Sequence, residues 1–323
     1  MKWLLFIFYF QLLSADYGGG FAGSGFRYGS NAKELSLAGA VVSDKNQRFY
    51  AFSNPALLKY VRNSQLGFSY HSMSLDRSIQ SFCYVKKLPP TAGVGISILR
   101  SGTKNIQGTN SMNEKTEVFS SQDIQGIISF GVSFGSRIAI GLNIKAFFSS
   151  IAPEILNEQS GTGIGLDFGI SYKINRYLLF GGLIENFSGA YNWKFTKGSD
   201  QDNYNELLPK IIKLGITYNS YNNLLIYFQE DIFIVSGEYI NYRPRLGIEY
   251  NLSNSVKFRG GIKQAEGTYI PNEKNRINIK PTVGIGLPLK VWERKIVQMD
   301  YALDPGSSGE GLSHLFSFSM ELR

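Results

Sequence analysis

The residues able to carry out nucleophilic, acid–base or metal chemistry are few here, and their spacing argues against each of those roles. The 323 residues include two histidines, His71 and His314, and one cysteine, Cys83. A hydrolytic triad needs a nucleophile, a base and an orienting acid in one hydrogen-bonded line, and nothing places a serine and an acid beside either histidine. Two histidines and one cysteine do not match metal-ligand spacing. Gly18-Gly19-Gly20-Phe21-Ala22-Gly23 fits the dinucleotide fingerprint literally, but it has no preceding strand and no βαβ unit, so it reads as a flexible leader. Asp304-Pro305-Gly306-Ser307-Ser308-Gly309-Glu310-Gly311 carries too few carboxylates for a calcium loop and reads as a hairpin loop. The expectation is a non-enzymatic protein without cofactor or metal.

The elements around these residues are more informative. From residue 65 to the C-terminus the chain alternates apolar and polar side chains in about fourteen stretches, joined by connections that alternate short and long. The short ones are Leu88-Pro89-Pro90, Gly135-Ser136, Asn175-Arg176, residues 219–223, residues 251–254 and Leu289-Lys290; the long ones include residues 100–121, 149–160 and 188–208. With all tight turns at one end and an even strand count, the pattern predicts an all-β fold, a transmembrane antiparallel β-barrel. No apolar run reaches the roughly 18 residues a membrane-spanning helix needs.

Strand periodicity assigns the faces. Ile138, Ile140, Leu142 and Ile144 are expected to face lipid, with Ala139, Gly141, Asn143 and Lys145 inward; Ile164, Leu166, Phe168 and Ile170 oppose Gly165, Asp167, Gly169 and Ser171. The lumen-facing polar candidates are His71, Lys145, Asp167, Glu249, Arg259 and Asp300, with Lys257 and Glu321 as further inward charges. Glu230 and Asp231 fall on opposite faces, so one is expected at a rim. Aromatic residues near strand ends, among them Phe147, Phe148, Tyr172, Tyr218, Tyr250 and Trp292, are expected to form interfacial girdles. Glycines on the inner face, such as Gly95, Gly141, Gly169, Gly215 and Gly261, enlarge a lumen that something must fill.

Three segments are expected. Residues 1–15, a lysine followed by the apolar run of residues 3–10 and a small residue at Ala15, read as a signal peptide. Residues 16–64 lack sustained alternation and read as a hatch or plug, with a short helix over residues 31–42 capped by Asn31 and Glu34. Residues 65–323 form the barrel. The net charge of +8 is dispersed and mixed with acids, which argues against nucleic acid as a partner and suits lumen and rims.

The order Gly25-Phe26-Arg27-Tyr28-Gly29, then residues 32–40, then Asn54-Pro55-Ala56, followed by Phe68-Ser69-Tyr70, Ser74-Leu75-Asp76-Arg77 and Asp300-Tyr301-Ala302-Leu303, resembles the PorV/PorQ family of outer-membrane proteins, itself similar to the FadL group of fatty-acid channels. The chain departs from that pattern with Leu57 where the family usually has glycine, and with an end, Leu322-Arg323, that is not aromatic. The resemblance implies a fourteen-stranded barrel with a hatch, with Asn54, Pro55 and Ala56 as gate candidates, exported to the bacterial outer membrane and embedded in its lipid. It implies one of two roles. The first is type IX-like protein secretion or surface attachment, with a translocon or exported proteins as partners on the long loops. The alternative is a FadL-like channel for hydrophobic molecules such as fatty acids.

Overall fold

The computed structural model describes residues 21–153, 159–197, 200–221, 223–235, 239–252, 256–264, 279–292, 295–306 and 311–322; the expected signal peptide, residues 1–15, lies outside them. The strands are β1 (Ser64–Ser72), β2 (Arg77–Leu88), β3 (Ala92–Thr109), β4 (Lys115–Phe134), β5 (Ile138–Pro153), β6 (Gln159–Lys173), β7 (Leu178–Lys197) and β8 (Asp200–Leu207). They continue as β9 (Lys210–Asn219), β10 (Leu224–Val235), β11 (Tyr239–Asn251), β12 (Lys257–Gln264), β13 (Ile279–Trp292), β14 (Lys295–Asp304) and β15 (Ser313–Leu322). Every pairing is antiparallel. β1 pairs with β15 from Ser64–Leu322 to Ser72–His314, and β7 pairs with both β6 and β9, which closes fourteen strands into a barrel. The remaining strand, β8, pairs only with the outer part of β7, from Ala190–Leu207 to Lys197–Asp200.

The faces follow from side-chain parity. Ile138, Ile140 and Ile144 are exposed while Ala139, Asn143 and Lys145 are buried, and in β15 Phe316 and Phe318 point out while Leu315, Ser317 and Ser319 point in. Tyr172, Tyr218 and Tyr250 lie exposed near the short-turn ends of their strands, where an aromatic girdle belongs. Phe147 does not join it. Its odd number in β5 shares the inward parity of Lys145, and its ring packs 5.9 Å from Phe26 and 5.7 Å from Tyr191.

Three connections differ from expectation. Leu289 and Lys290 lie within β13, whose register with β14 shifts between Lys290 and Trp292 and whose last pair is Trp292–Lys295, so the expected turn at Leu289-Lys290 is strand instead. Residues 100–121 are mostly strand, β3 and β4 running on to a turn at 110–114, and residues 188–208 hold the β7–β8 ribbon. The β3–β4 extensions are largely polar on both faces and carry little apolar alternation, whereas in the β7 extension Tyr191, Trp193 and Phe195 alternate with Asn192, Lys194 and Thr196 and mark the strand in sequence. Asp231 faces inward; Glu230 faces outward at mid-strand, opposite Pro244, instead of at a rim.

Residues 21–63 lie inside the barrel as short helices and turns: a 3-10 turn at Ser24–Arg27, α1 (Ala32–Ser36), α2 (Tyr50–Ser53) and a 3-10 helix at Pro55–Tyr60. Residues 21–27 are thus packed, not a loose leader: Ala22 and Phe26 sit with Phe147, Tyr191 and Leu208. The helix begins where expected, Asn31 Oδ1 accepting from Glu34 N at 3.0 Å, while the Glu34 carboxylate accepts from Ser30 N and Oγ at 2.9 and 2.7 Å. It ends at Ser36, well short of Val42, because Ala38 (φ 54°) and Gly39 (φ 84°) turn left-handed and Gly39 N donates to Glu34 O at 2.8 Å. Inner-face glycines let the hatch backbone touch the wall. A Cβ on Gly141 would collide with the Pro55–Ala56 peptide, one on Gly169 with Asn54 and one on Gly181 with Val42 O.

Gly141→Val is therefore expected to displace the 3-10 helix at Pro55–Tyr60 at a cost of about 1–3 kcal/mol. In planar bilayers the variant should show higher ion conductance than the parent. Equal conductance and an unchanged melting temperature would show that the hatch does not rest on this glycine.

Candidate functional site: hatch and lumen

The proposed gate tripeptide is a clamp. Asn54 is fully buried, and all of its polar atoms are bonded. Its N–H donates to Tyr50 O at 2.9 Å, its carbonyl accepts from Leu57 N at 3.1 Å, and its Oδ1 accepts from Ala56 N at 3.0 Å. Nδ2 donates to Val42 O at 2.9 Å, Ile170 O at 3.0 Å and Gly182 O at 3.3 Å. One amide thus joins two parts of the hatch to β6 and β7. Pro55 starts the 3-10 helix, where a missing N–H costs nothing, and Ala56 and Leu57 are fully buried. Leu57, at the position where the resembling family carries glycine, packs with Tyr50, Leu58, Val61, Val85 and Leu179.

All six lumen candidates are inward and buried, between 1% and 7% exposed. The structure gathers five of them into two groups. Arg259 bridges Glu249 at 2.6 Å and Asp300 at 2.7 Å, and Lys33 of α1 reaches Glu249 at 3.7 Å and Asp44 at 2.5 Å. Lys145 contacts Asp167 at 2.8 Å and Glu185 at 3.3 Å; Asn143 Nδ2 donates both to Asp167 Oδ2 and to Ala51 O of α2. His71 stands apart, Nε2 against Ser313 Oγ at 3.0 Å. His314 is outside, bonded to Tyr301 Oη at 2.9 Å.

Several participants were missed. Glu185 also pairs with Lys213 at 2.7 Å, and Asp231 pairs with Arg245 at 2.8 Å and accepts from Gln229, whose Oε1 accepts from Val42 N at 2.8 Å. Parity would have placed Lys213 and Asp231 inside, since they share it with Gly215 and Gln229. Lys33 carried no periodicity signal at all. In the hatch, burial and the nearby Asp44 carboxylate push the Tyr50 phenol well above its ordinary range, so it stays neutral.

Between hatch and charges lies a chamber of about 60 Å³, walled by Phe52, Leu99, Ile127, Leu183, Ile211 and Phe233 as well as by Lys145, Glu185, Lys213 and Asp231. That is room for a few waters. Beside it the wall is irregular. Leu166 pairs with Ser188 and Phe168 with Ile184, so residues 185–187 of β7 bulge opposite Asp167, with Asn186 at φ 54°. Asn186 N donates to Asp167 Oδ1 at 2.9 Å and its Nδ2 to Pro209 O at 3.0 Å. Outside the bulge is a cleft of about 500 Å³ of mixed lining, apolar at Ile164, Phe187, Leu207, Leu208 and Ile234 and polar at Ser188, Asn192, Asn205 and Lys210. Asn186, Leu208 and Pro209 line both this cleft and a small inner cavity with Phe26, Lys145 and Glu185, so one layer of side chains divides inside from outside. Among the described residues no group of three or more His, Cys, Asp or Glu side chains is arranged to hold a metal.

No family model and no curated protein matches the chain. Solved structures do. The chain is similar to the CymD monoaromatic hydrocarbon channel at 11% identity and TM-score 0.64, over 94% of this chain and 99% of that one. It is similar to the Pseudomonas putida toluene transporter TodX at 12% identity and TM-score 0.63, over 92% and 99%, and to a Pseudomonas aeruginosa FadL homologue at 10% and 0.58, over 90% and 97%. At these identities the likeness is one of fold: the closed fourteen-stranded barrel with small helices near its N-terminus.

Two substitutions test the clamp and the charges. Asn54→Ala strands the carbonyls of Val42, Ile170 and Gly182 and should cost roughly 2–4 kcal/mol. Lys145→Met leaves Asp167 buried with a reduced shell and should cost roughly 3–5 kcal/mol. Thermal unfolding in detergent reads both; losses under 1 kcal/mol, within the surface-substitution range, would remove these groups from the frame.

Proposed function

We propose that the protein is a non-enzymatic outer-membrane channel for small hydrophobic molecules. The observation that carries it is the thinned wall at the β7 bulge, where the lumen and an outer, partly apolar cleft are separated by Asn186, Leu208 and Pro209. A hydrophobic solute gains by leaving water at every step, so an exit into lipid favours it over one into the periplasm. The hatch blocks the straight path, and the 60 Å³ chamber excludes a solute until the hatch or the bulge shifts. Support also comes from the fold neighbours, which are named as hydrocarbon channels, a toluene transporter and a FadL homologue. On this reading the short-turn end, with both chain ends of the barrel, faces the periplasm.

The secretion or attachment role has one feature in its favour. The β7–β8 ribbon rises from the long-hairpin end, and β8 pairs along only one edge among the described residues, leaving the other for a partner strand. The resemblance of residues 32–56 is its other support.

Uptake of labelled toluene and labelled oleate into cells lacking their own hydrophobic channels tests the first reading. Expression should raise uptake of at least one severalfold, and Leu208→Trp should return it toward background while leaving folded barrel in the membrane. No uptake of either, with a stoichiometric secretion partner co-purifying, would overturn the channel in favour of the secretion role.

A further inference from the structure

The hatch leaves a second space at the opposite end of the lumen, open to the short turns, that the channel reading does not use. It is a vestibule of about 690 Å³, within the size range of small-molecule sites. Its wall is polar and unevenly charged. Three carboxylates line it, and each is already engaged: Asp44 with Lys33 at 2.5 Å, Glu249 with Arg259 at 2.6 Å, and Glu321 with Arg48 at 3.8 Å and Asn63 at 3.2 Å. Arg176 is held by Tyr221 and stacks on Tyr177. Lys45, Arg62, Lys173 and Lys257 line the same wall with no ion-pair partner among the described residues.

Unused donors point the same way. Gln47 is 1% exposed, yet its Nε2 has no partner; Arg48 NH1 and Tyr177 Oη are likewise buried and unpaired. A buried donor left unpaired is unfavourable, and these three belong to residues lining an open space from which an oxygen of water or of a solute can accept from them. On the same wall Tyr60 Oη is also without a hydrogen-bond partner, as are two acceptors, Gln65 Oε1 and Asp44 Oδ2, the latter neutralised by Lys33 at 2.5 Å. Just outside, partial burial and, second to it, the like charge of Lys173 depress the Lys59 ammonium.

We propose that the vestibule binds a small oxyanion, a carboxylate or phosphate group carried by a free solute or by a lipid head, with Gln47 and Arg48 donating to it and Lys45, Lys173 and Lys257 supplying charge. The site is built half from the hatch and half from the barrel, since Lys45, Gln47 and Arg48 precede α2 while Lys173 ends β6 and Lys257 begins β12. An anion there cross-links the two and holds the hatch seated. The proposal stands whether the barrel carries hydrocarbons or not.

Calorimetric titration of the full-length protein in nonionic detergent with sodium phosphate and with citrate tests it. Saturable binding of either is expected, weakening as ionic strength rises from about 0.05 to about 0.5 M. The double variant Lys173→Gln/Lys257→Gln should weaken it about tenfold or more; Lys173→Gln alone, on an exposed residue, serves if the double variant does not fold. Lys86→Gln, at the same end but outside the vestibule, should leave binding unchanged. Native mass spectrometry from nanodiscs of mixed phosphatidylglycerol and phosphatidylcholine separates the sources: phosphatidylglycerol retained by the parent and lost by the variant identifies a lipid head, and binding of phosphate or citrate alone identifies a solute. Absence of saturable binding by all three probes, or binding indifferent to the lysine variants, overturns the site.

Discussion

Everything in this molecule depends on closing the hydrogen-bonded sheet. In hydrocarbon an unpaired N–H or C=O has no water to turn to, so a sheet survives only without edges. The nine pairs from Ser64–Leu322 to Ser72–His314 close the fourteen-stranded ring by joining the first strand to the last, and among the described residues the edge left over belongs to β8, on the extension beyond the ring. Once the ring is closed, parity does the rest: alternate residues of every strand must meet lipid, and the others are released from that demand. Lysine, aspartate and asparagine in the middle of strands are tolerable because the ring turns them inward.

A closed ring of fourteen strands creates a lumen too wide for its own side chains, and this chain narrows it with backbone. The hatch is mostly short helices and turns whose peptide groups need partners, and the wall supplies them at places where glycine permits contact. Asn54 is where these requirements meet, one side chain completing the local turn, a second hatch segment and two strands. Charges do similar work on both sides of it. Lys33 ties α1 to the Glu249–Arg259–Asp300 group, and Asn143 ties α2 to the Lys145–Asp167 group. A hatch held this way does not shift in part without leaving buried groups unpaired, which makes its position two-state in character.

The fourteen strands are not equivalent. β3 to β7 hold 15 to 20 residues each, whereas β12 holds 8 and β1 only 9, so the ring is tall on one side. β7 stands at the transition. Its first half pairs with β9, its second half exchanges β9 for β8, and the bulge at residues 185–187 falls where the exchange happens. The same exchange thins the wall beside the inner charges, which is why an outer cleft of mixed lining and a buried Lys–Asp–Glu group lie within a side chain of one another.

The sequence by itself determined the barrel, the inward set of polar residues, the start of α1 and the tight turns marked by proline, glycine and asparagine, because those depend on period and on local backbone preference. It misplaced Phe147, which was judged by nearness to a strand end when parity decided its face, and it lost the strand extensions beyond residues 101 and 188, the first because its polar residues carry little alternation, the second although Tyr191, Trp193 and Phe195 do alternate with polar residues. The partners of Asn54, the pairing of Lys33 with Asp44 and Glu249, the bulge opposite Asp167 and the vestibule were decided by tertiary structure alone. Each joins residues far apart in the chain, such as Asn54 and Gly182 or Lys33 and Glu249, whose meeting depends on how the hatch sits against a closed wall, and no local pattern of residues records that position.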